Sequence, residues 1–283
     1  MLDLAQRDME LHGDDAAGDL SFVNQYIKMS IEASRDIYGN SRNTHNHNVT
    51  KIYLAEGTYK PKFGMVPRWV EEWGEYSNSG IIYDPTSKYT FFDLFSGISI
   101  YGGFSATGNP TFEDRNPILY KTILSGDINE DDTISGSGST LALNNRTDNL
   151  NNILVGIGTD GNVTLDGLTF KGGHANANDY NMYILTNQTF STTVYRGNGG
   201  AIYLHPGVDA LNFNVQNCVF EENFASGLEE NMESYGGGAV FISGTNTLSR
   251  YNFVNNKFHL NYTTGKGAAL YISNSLVDSN HFN

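Results

Sequence analysis

A five-residue pattern occurs three times in the second half of the chain: two small residues, an alanine, an aliphatic residue and an aromatic residue. The copies are GGAIY at 199–203, GGAVF at 237–241 and GAALY at 267–271. A second pattern, Phe-x-x-Asn, follows the first two copies, at 220–223 and 258–261. The first two copies of each pattern are 38 residues apart, which is the separation of Ala201 and Ala239, and the third copy of the first pattern follows after a further 30 residues. A spacing shared by two patterns indicates one repeating structural unit.

Each unit contains three short β-type segments. Between the two patterns lies a middle segment, LNFNVQ at 211–216 and SRYNFV at 249–254. One such unit cannot bury its inner face alone, so successive units must stack, with equivalent strands about 4.8 Å apart. Three strands per unit, joined by connections of unequal length, are typical of a solenoid. The sequence therefore predicts an all-β fold, a parallel β-helix.

Stacking predicts where equivalent side chains lie. Successive residues of a strand point to opposite faces, so Ile202 and Tyr203 should begin two separate columns. Ala201 and Ala239 should take crowded inward positions, and the glycines before them should turn the chain at a corner. Asparagines at equivalent positions should form amide ladders. The expected ladder pairs are Asn223 with Asn261 and Asn214 with Asn252.

Only one segment predicts a helix. Apolar residues between Leu20 and Tyr38 recur near the helical period, and Gly39 with Asn40 supplies a stop. We expect this helix, at about 20–38, to cap the first turn of the stack. The predicted organisation is an N-terminal segment at 1–45 followed by a β-helix at 46–283.

Charge, cysteine content and apolar patterning narrow the classes of protein to which this sequence can belong. A formal net charge of −14 disfavours nucleic acid, which rewards lysine and arginine. The single cysteine, Cys218, excludes an intrachain disulfide and is expected to be a buried small hydrophobe. No run of about 18 apolar residues predicts a transmembrane helix. The first residues, MLDLAQRDMELHGDD, lack the basic and apolar regions of a signal peptide.

The repeats resemble those of a known group of surface proteins. GGA-aliphatic segments followed by FEEN and FHLN are similar to the repeats of the chlamydial polymorphic outer-membrane proteins. Upstream, IYLAEGTYKP, ISIYGGF, TILSGDI and LDGLTFKGG resemble segments of surface proteins from Bacteroidota. The resemblance spans roughly residues 50–283 and implies a right-handed parallel β-helix of the pectate-lyase-like kind. It also implies a secreted, cell-surface or outer-membrane location. We expect a fragment of a longer protein, truncated at the C-terminus, whose export signal and anchor lie outside these residues.

The same fold is used by enzymes that cleave polysaccharides, and such an enzyme would place its catalytic residues on neighbouring units. An offset of 38 pairs Glu221 with His259 and Glu222 with Leu260, and it pairs no two carboxylates. A lyase needs carboxylates that hold Ca²⁺ beside a base, and a hydrolase needs two carboxylates about the scissile bond. Glu221 and His259 are interpreted as a solvated contact between neighbouring turns. No catalytic residue is predicted.

An acidic segment, GDINEDDT, places oxygen-bearing side chains at alternate positions. Asp127, Asn129 and Asp131 resemble the start of a Ca²⁺ loop. The glycine and closing glutamate of an EF-hand are missing, which favours an ordinary acidic turn. Calcium binding is therefore the alternative interpretation of this segment, and no other cofactor is predicted.

Two long excursions from the repeats are the predicted binding loops, because insertions in solenoids commonly form the binding face. One spans Lys60 to Lys88 and is rich in Trp and Tyr, and the other spans Leu228 to Tyr235 and is acidic. The alternative is that the aromatic rings pack the first excursion onto the stack. The predicted ligand-binding residues are Trp69, Trp73, Tyr76, Glu229 and Glu230.

Together these features predict a non-enzymatic, adhesin-like passenger that binds a host protein or glycan through its loops. Two alternatives come from other classes. One is a carbohydrate-active enzyme, either a polysaccharide lyase or a glycoside hydrolase, and the other is a structural surface spacer. Converging carboxylates and a base would favour the enzyme, whereas a chain without any ligand would favour the spacer.

Overall fold

The computed structural model describes the chain from residue 50 to residue 273 with internal gaps. The described ranges are 50–61, 63–70, 75–83, 86–136, 140, 142–176, 182–187, 190–195, 197–227, 236–243 and 249–273. The predicted helix at 20–38 and the N-terminal segment at 1–45 lie outside these residues. Within the described ranges the chain is strand and loop, with one short 3-10 turn at Phe112–Asp114.

Three sheets are built from parallel strands, and each sheet receives strands from successive units. The first contains β1 (Lys51–Ala55), β5 (Phe92–Asp93), β6 (Ser99–Phe104), β10 (Leu154–Asp166), β15 (Ile202–Gln216), β18 (Val240–Ser243), β19 (Arg250–Val254) and β22 (Leu270–Ser273). The second contains β2 (Gly57–Tyr59), β7 (Thr122–Ser125), β11 (Leu168–Lys171), β16 (Val219–Glu221) and β20 (Lys257–His259). The third contains β12 (His174–Ala175), β17 (Phe224–Ala225) and β21 (Tyr262–Thr263). The prediction of an all-β fold with parallel strands is confirmed.

In the part of the chain that the structure describes, three antiparallel hairpins are inserted between these strands. They are β3–β4 (Phe63–Val70 and Glu75–Tyr83), β8–β9 (Thr133–Ser135 and Ala142–Asn144) and β13–β14 (Met182–Asn187 and Phe190–Tyr195). Each pairs only with itself, so the hairpins belong to none of the three parallel sheets.

The register between units is the one that the repeats predict. Asn212 pairs with Arg250 in the first sheet, and Glu221 pairs with His259 in the second. Ile202 pairs with Val240, which in turn pairs with Leu270. Equivalent residues therefore lie beside one another from unit to unit, which is what makes columns of like side chains possible.

Two columns on opposite faces of the same strands confirm the predicted alternation. Ile202, Val240 and Leu270 belong to the main core, where Ala201, Ala239 and Cys218 are also buried. On the other face, Tyr203, Phe241 and Tyr271 form a smaller apolar cluster. Burial of the Cys218 thiol raises its pKa to about 12, so the residue behaves as the small hydrophobe expected of it.

The corners use left-handed backbone. Gly199, Gly237 and Gly267 have φ of +65°, +66° and +69° at the same place in three units. A Cβ at the following glycine of the second copy, Gly238, would lie 2.6 Å from the carbonyl oxygen of Tyr262. The paired small residues of the sequence pattern are thus needed for the turn and for close approach of the next unit.

The structure also departs from the predicted three-segment unit. In β10 and β15 the first and middle segments run together as strands of 13 and 15 residues, with register shifts where they bend. A two-residue strand follows each Phe-x-x-Asn segment and forms the third sheet. Strands of two residues carry too little periodicity to be recognised in sequence.

Candidate functional site: a carboxylate cluster and projecting hairpins

The predicted metal ligands lie in the loop that follows β7. Asp127 is buried there, and its carboxylate accepts hydrogen bonds from the backbone N–H groups of Asp131 at 3.3 Å and Asp132 at 3.2 Å. These bonds fold the loop back on itself. Asp131 itself is exposed, so the loop presents one buried and one exposed carboxylate.

A third carboxylate comes from a distant point in the chain. Asp148 lies before β10, and oxygen atoms of Asp127, Asp131 and Asp148 all approach within 4.8 Å of one another. The backbone N–H of Asn129 donates to Asp148 Oδ2 at 2.9 Å and fixes its position. The three carboxylates could hold a metal ion. The backbone N–H of the exposed Asn129 thus orients Asp148. Metal ligation by the Asn129 side chain stays a prediction.

Beneath this cluster lies a buried ion pair. Side chains of Asp132 and Arg146 are 7% and 5% exposed, and their closest atoms are 3.7 Å apart. Asn149 Nδ2 donates to Asp132 Oδ2 at 2.8 Å and to the Gly172 carbonyl at 2.6 Å. Burial raises the pKa of Asp132 to about 6, although Asn149 and Arg146 act in the opposite direction. The arrangement couples the acidic loop to the turn between the second and third sheets.

The structure describes two of the five residues predicted to bind a ligand. Trp69 of β3 lies opposite Tyr76 of β4 in the hairpin register. Strand β4 also lies next to β13, so two hairpins inserted at different points of the chain meet side by side. The remaining predicted residues, Trp73, Glu229 and Glu230, lie outside the described part of the chain.

The pair Glu221 and His259 stands on β16 and β20 as predicted. Lys171 lies beside this pair, with its Nζ 4.0 Å from Glu221 Oε1 and 3.4 Å from Glu222 Oε2. In the described strand registers, no two carboxylates are paired at this place. Lys171 thus lies beside one partly exposed carboxylate and one largely buried carboxylate.

Comparison of the chain with protein-family models, with curated proteins and with solved structures gave no significant match. Among the residues that the structure describes, no helix has the length and apolar character needed to cross a membrane. Functional inference therefore depends on the geometry of the chain itself.

Proposed function

We propose that the chain is a right-handed parallel β-helix that serves as a non-enzymatic, adhesin-like passenger at a bacterial surface or in secreted form. The stack supplies a rigid support, and the inserted hairpins supply recognition of a host-surface protein or glycan. The observation that supports this best is the meeting of hairpins β3–β4 and β13–β14. Two insertions that join on one side of a regular stack make a surface that the stack does not need for its own pairing.

The aromatic content of hairpin β3–β4 supports a binding role. Trp69 and Tyr76 share one cross-strand pair, and Phe63 and Tyr83 share another. Trp and Tyr contribute large, rigid contact area and dominate binding hot spots. A hairpin that carries two aromatic cross-strand pairs can therefore recognise a protein or a sugar ring.

The test is binding of the purified chain to cultured epithelial cells and to arrays of matrix proteins and glycans. The double variant Trp69→Ala/Tyr76→Ala should lose binding at least tenfold, since truncated hot spots typically cost more than about 1.4 kcal/mol. Ile134→Ala in the separate hairpin β8–β9 is the matched control. Equal binding by the double variant, with an unchanged β-rich circular dichroism spectrum, would refute the role of this hairpin.

For the carboxylate cluster we propose Ca²⁺ as the ion. Hard oxygen ligands from three aspartates suit Ca²⁺, which accepts six to eight oxygens in flexible geometry. Calorimetric titration with Ca²⁺ should show one site in the parent chain and none in Asp131→Asn. Glu113→Gln, at an exposed position elsewhere, is the control and should bind like the parent. A parent chain that does not respond to millimolar Ca²⁺ would remove the ion from the proposal.

A further inference from the structure

One surface of the stack, separate from the hairpins, carries side chains suited to binding a ligand. It is the outward face of the middle segments, formed by alternate residues of 51–53, 99–101, 162–166, 212–216 and 250–254, and is called the middle face below. One column runs across it without interruption: Tyr53 pairs with Tyr101, Tyr101 with Asp166, Asp166 with Gln216, and Gln216 with Val254. Five adjacent strands span roughly 19 Å at the usual strand spacing.

One end of the middle face is an aromatic platform. The ring centroids of Tyr53 and Tyr101 are 5.7 Å apart, and that of Phe112 lies 5.8 Å from Tyr53 and 5.2 Å from Tyr101. Phe104 packs beneath, 5.1 Å from Tyr53. Tyr53 is 42% exposed and Phe112 is 44% exposed. Rings fixed by several neighbours yet open on one side are suited to stack a flat apolar ligand surface.

The platform is held rigidly and carries little net charge. Arg115 lies 5.6 Å from the ring centres of both Tyr101 and Phe112, and its guanidinium binds the Asp166 carboxylate with two hydrogen bonds. Both side chains are at least nine-tenths buried. Their charges therefore compensate one another, and the loop that supplies Phe112 is anchored to β10.

Beyond the platform, amide side chains form most of the middle face, together with Thr164, Arg250 and Val254. Asn212 Nδ2 donates to Asn162 Oδ1 at 2.9 Å, and Asn252 Nδ2 donates to Asn214 Oδ1 at 2.8 Å. Gln216 Nε2 donates to Asp166 Oδ2 at 2.8 Å. An amide side chain can donate two and accept two hydrogen bonds, and the ladder uses only part of this capacity. Ladder bonds therefore hold the amides in fixed orientations, with hydrogen-bonding capacity left for a ligand.

We propose that the middle face binds an uncharged oligosaccharide. Sugar rings would stack on Tyr53 and Phe112, and their hydroxyl groups would bond to the amides of β10, β15 and β19. A peptide is disfavoured, because the backbones of the inner strands are already paired with strands on both sides. The middle face also presents the exposed cations Lys51 and Arg250, but Asp166 compensates Arg115 beside the platform and the net charge of −14 disfavours an anionic polymer. The site lies on the stack itself, so it does not depend on the hairpins of the proposed function.

Calorimetry or ligand-detected NMR of the whole chain with cellohexaose, mannohexaose and chitohexaose tests the proposal, with hexagalacturonate as the anionic probe. At least one neutral hexasaccharide should bind. Tyr53→Ala and Phe112→Ala should each weaken that binding roughly tenfold, whereas Tyr53→Phe, which keeps the ring, should bind within about twofold. Tyr262→Ala, which removes a ring that is 50% exposed on β21, is the matched control and should bind like the parent.

Three results would overturn the proposal: no neutral hexasaccharide bound at millimolar concentration, binding of hexagalacturonate alone, or parent-like affinity in a folded Tyr53→Ala/Phe112→Ala variant. Thermal melting of each variant checks that it is folded. The hairpin variant Trp69→Ala/Tyr76→Ala separates the two sites. If that variant loses the oligosaccharide while Tyr53→Ala keeps it, the ligand belongs to the hairpins and the middle face is not the site.

Discussion

The rings of Phe220 and Phe258 lie parallel, with centroids 4.8 Å apart and planes inclined by 7°. On its other side Phe220 stacks on Phe170 at 5.0 Å and 6°. The central ring therefore has neighbours on both faces, each supplied by a different unit. Such a column fixes the units in register, because sliding by one residue would turn the rings out of the core.

Replacement of the central ring should be the most costly change in the column. Phe220 is fully buried, and Phe220→Ala should lower the free energy of unfolding by about 3–5 kcal/mol. Urea denaturation measures this loss. Leu119→Ala, at a side chain that is 65% exposed, is the control and should change stability by less than about 0.5 kcal/mol. Equal effects of the two variants would contradict the stacked core.

The Asn223 amide should matter more than its size implies. Its Nδ2 donates to the Phe170 carbonyl at 3.0 Å and to Asn261 Oδ1 at 2.9 Å, and its Oδ1 accepts from the Gly173 N–H at 2.9 Å. Asn223→Ala should cost about 2–4 kcal/mol, because buried backbone groups lose their partners. Asn162→Ala removes an exposed ladder amide and should cost under about 1 kcal/mol. Thermal melting of the two variants distinguishes them, and a reversed order would refute the argument.

Leu260 is expected to be a site where stability can be gained. It has φ of +54°, at the corner where the preceding units have Glu222 at +59° and Gly172 at +82°. A leucine in left-handed backbone costs about 1–2 kcal/mol, and asparagine tolerates this conformation better. Leu260→Asn should therefore raise the free energy of unfolding by up to about 1 kcal/mol. Val254→Asn, on extended backbone, should give no gain, and a loss of stability in Leu260→Asn would show that its packing outweighs the strain.

His174 should make the fold sensitive to acid. Burial, with Arg146 and Lys88 nearby, lowers its pKa to about 4 from an ordinary value of 6.5. The folded state thus keeps the imidazole neutral, so its contribution is fully present above pH 6.5 and is lost as the pH falls towards 4. The contribution of His174 to the free energy of unfolding should fall by about 2–3 kcal/mol as the pH is lowered to 4.

Urea midpoints measured between pH 4 and pH 7 test the role of His174. His174→Phe, which keeps a ring beside Phe224, should flatten the pH dependence in this window. Leu119→Phe, at a side chain that is 65% exposed and has no titratable group, is the control and should leave the profile unchanged. A profile that is as steep in His174→Phe as in the parent would assign the acid sensitivity to other groups.

The parallel stacking was predictable where motifs repeat at a constant interval. Asn223 and Asn261 could be paired from sequence because both patterns recur after 38 residues. The earlier interval, between Asn162 and Asn212, is 50 residues, and hairpin β13–β14 lies within it. Insertion of a hairpin lengthens the interval without altering the strands, so the constant spacing of the repeats is lost at this point of the sequence.

Two of the three carboxylates in the cluster could be predicted from the sequence. Asp127 and Asp131 lie in one short acidic segment, where oxygen-bearing side chains at alternate positions, with Asn129 between them, predict a metal loop. Asp148 joins them only because hairpin β8–β9 closes the intervening chain and returns it to the same place. The nearby run of Asn and Asp before β10 was the available signal, but its approach to Asp127 depends on tertiary structure.

The backbone hydrogen bonds that join one unit to the next run along the stack, for example between Asn217 and Val254. Tension applied along this direction would load the junctions between units in series, and the weakest would fail first. Each failure would free the chain of one repeating unit. For the interval of 38 residues, that unit would extend to roughly 130 Å. Stretched by its ends, the chain should lengthen in discrete steps and absorb work at each one.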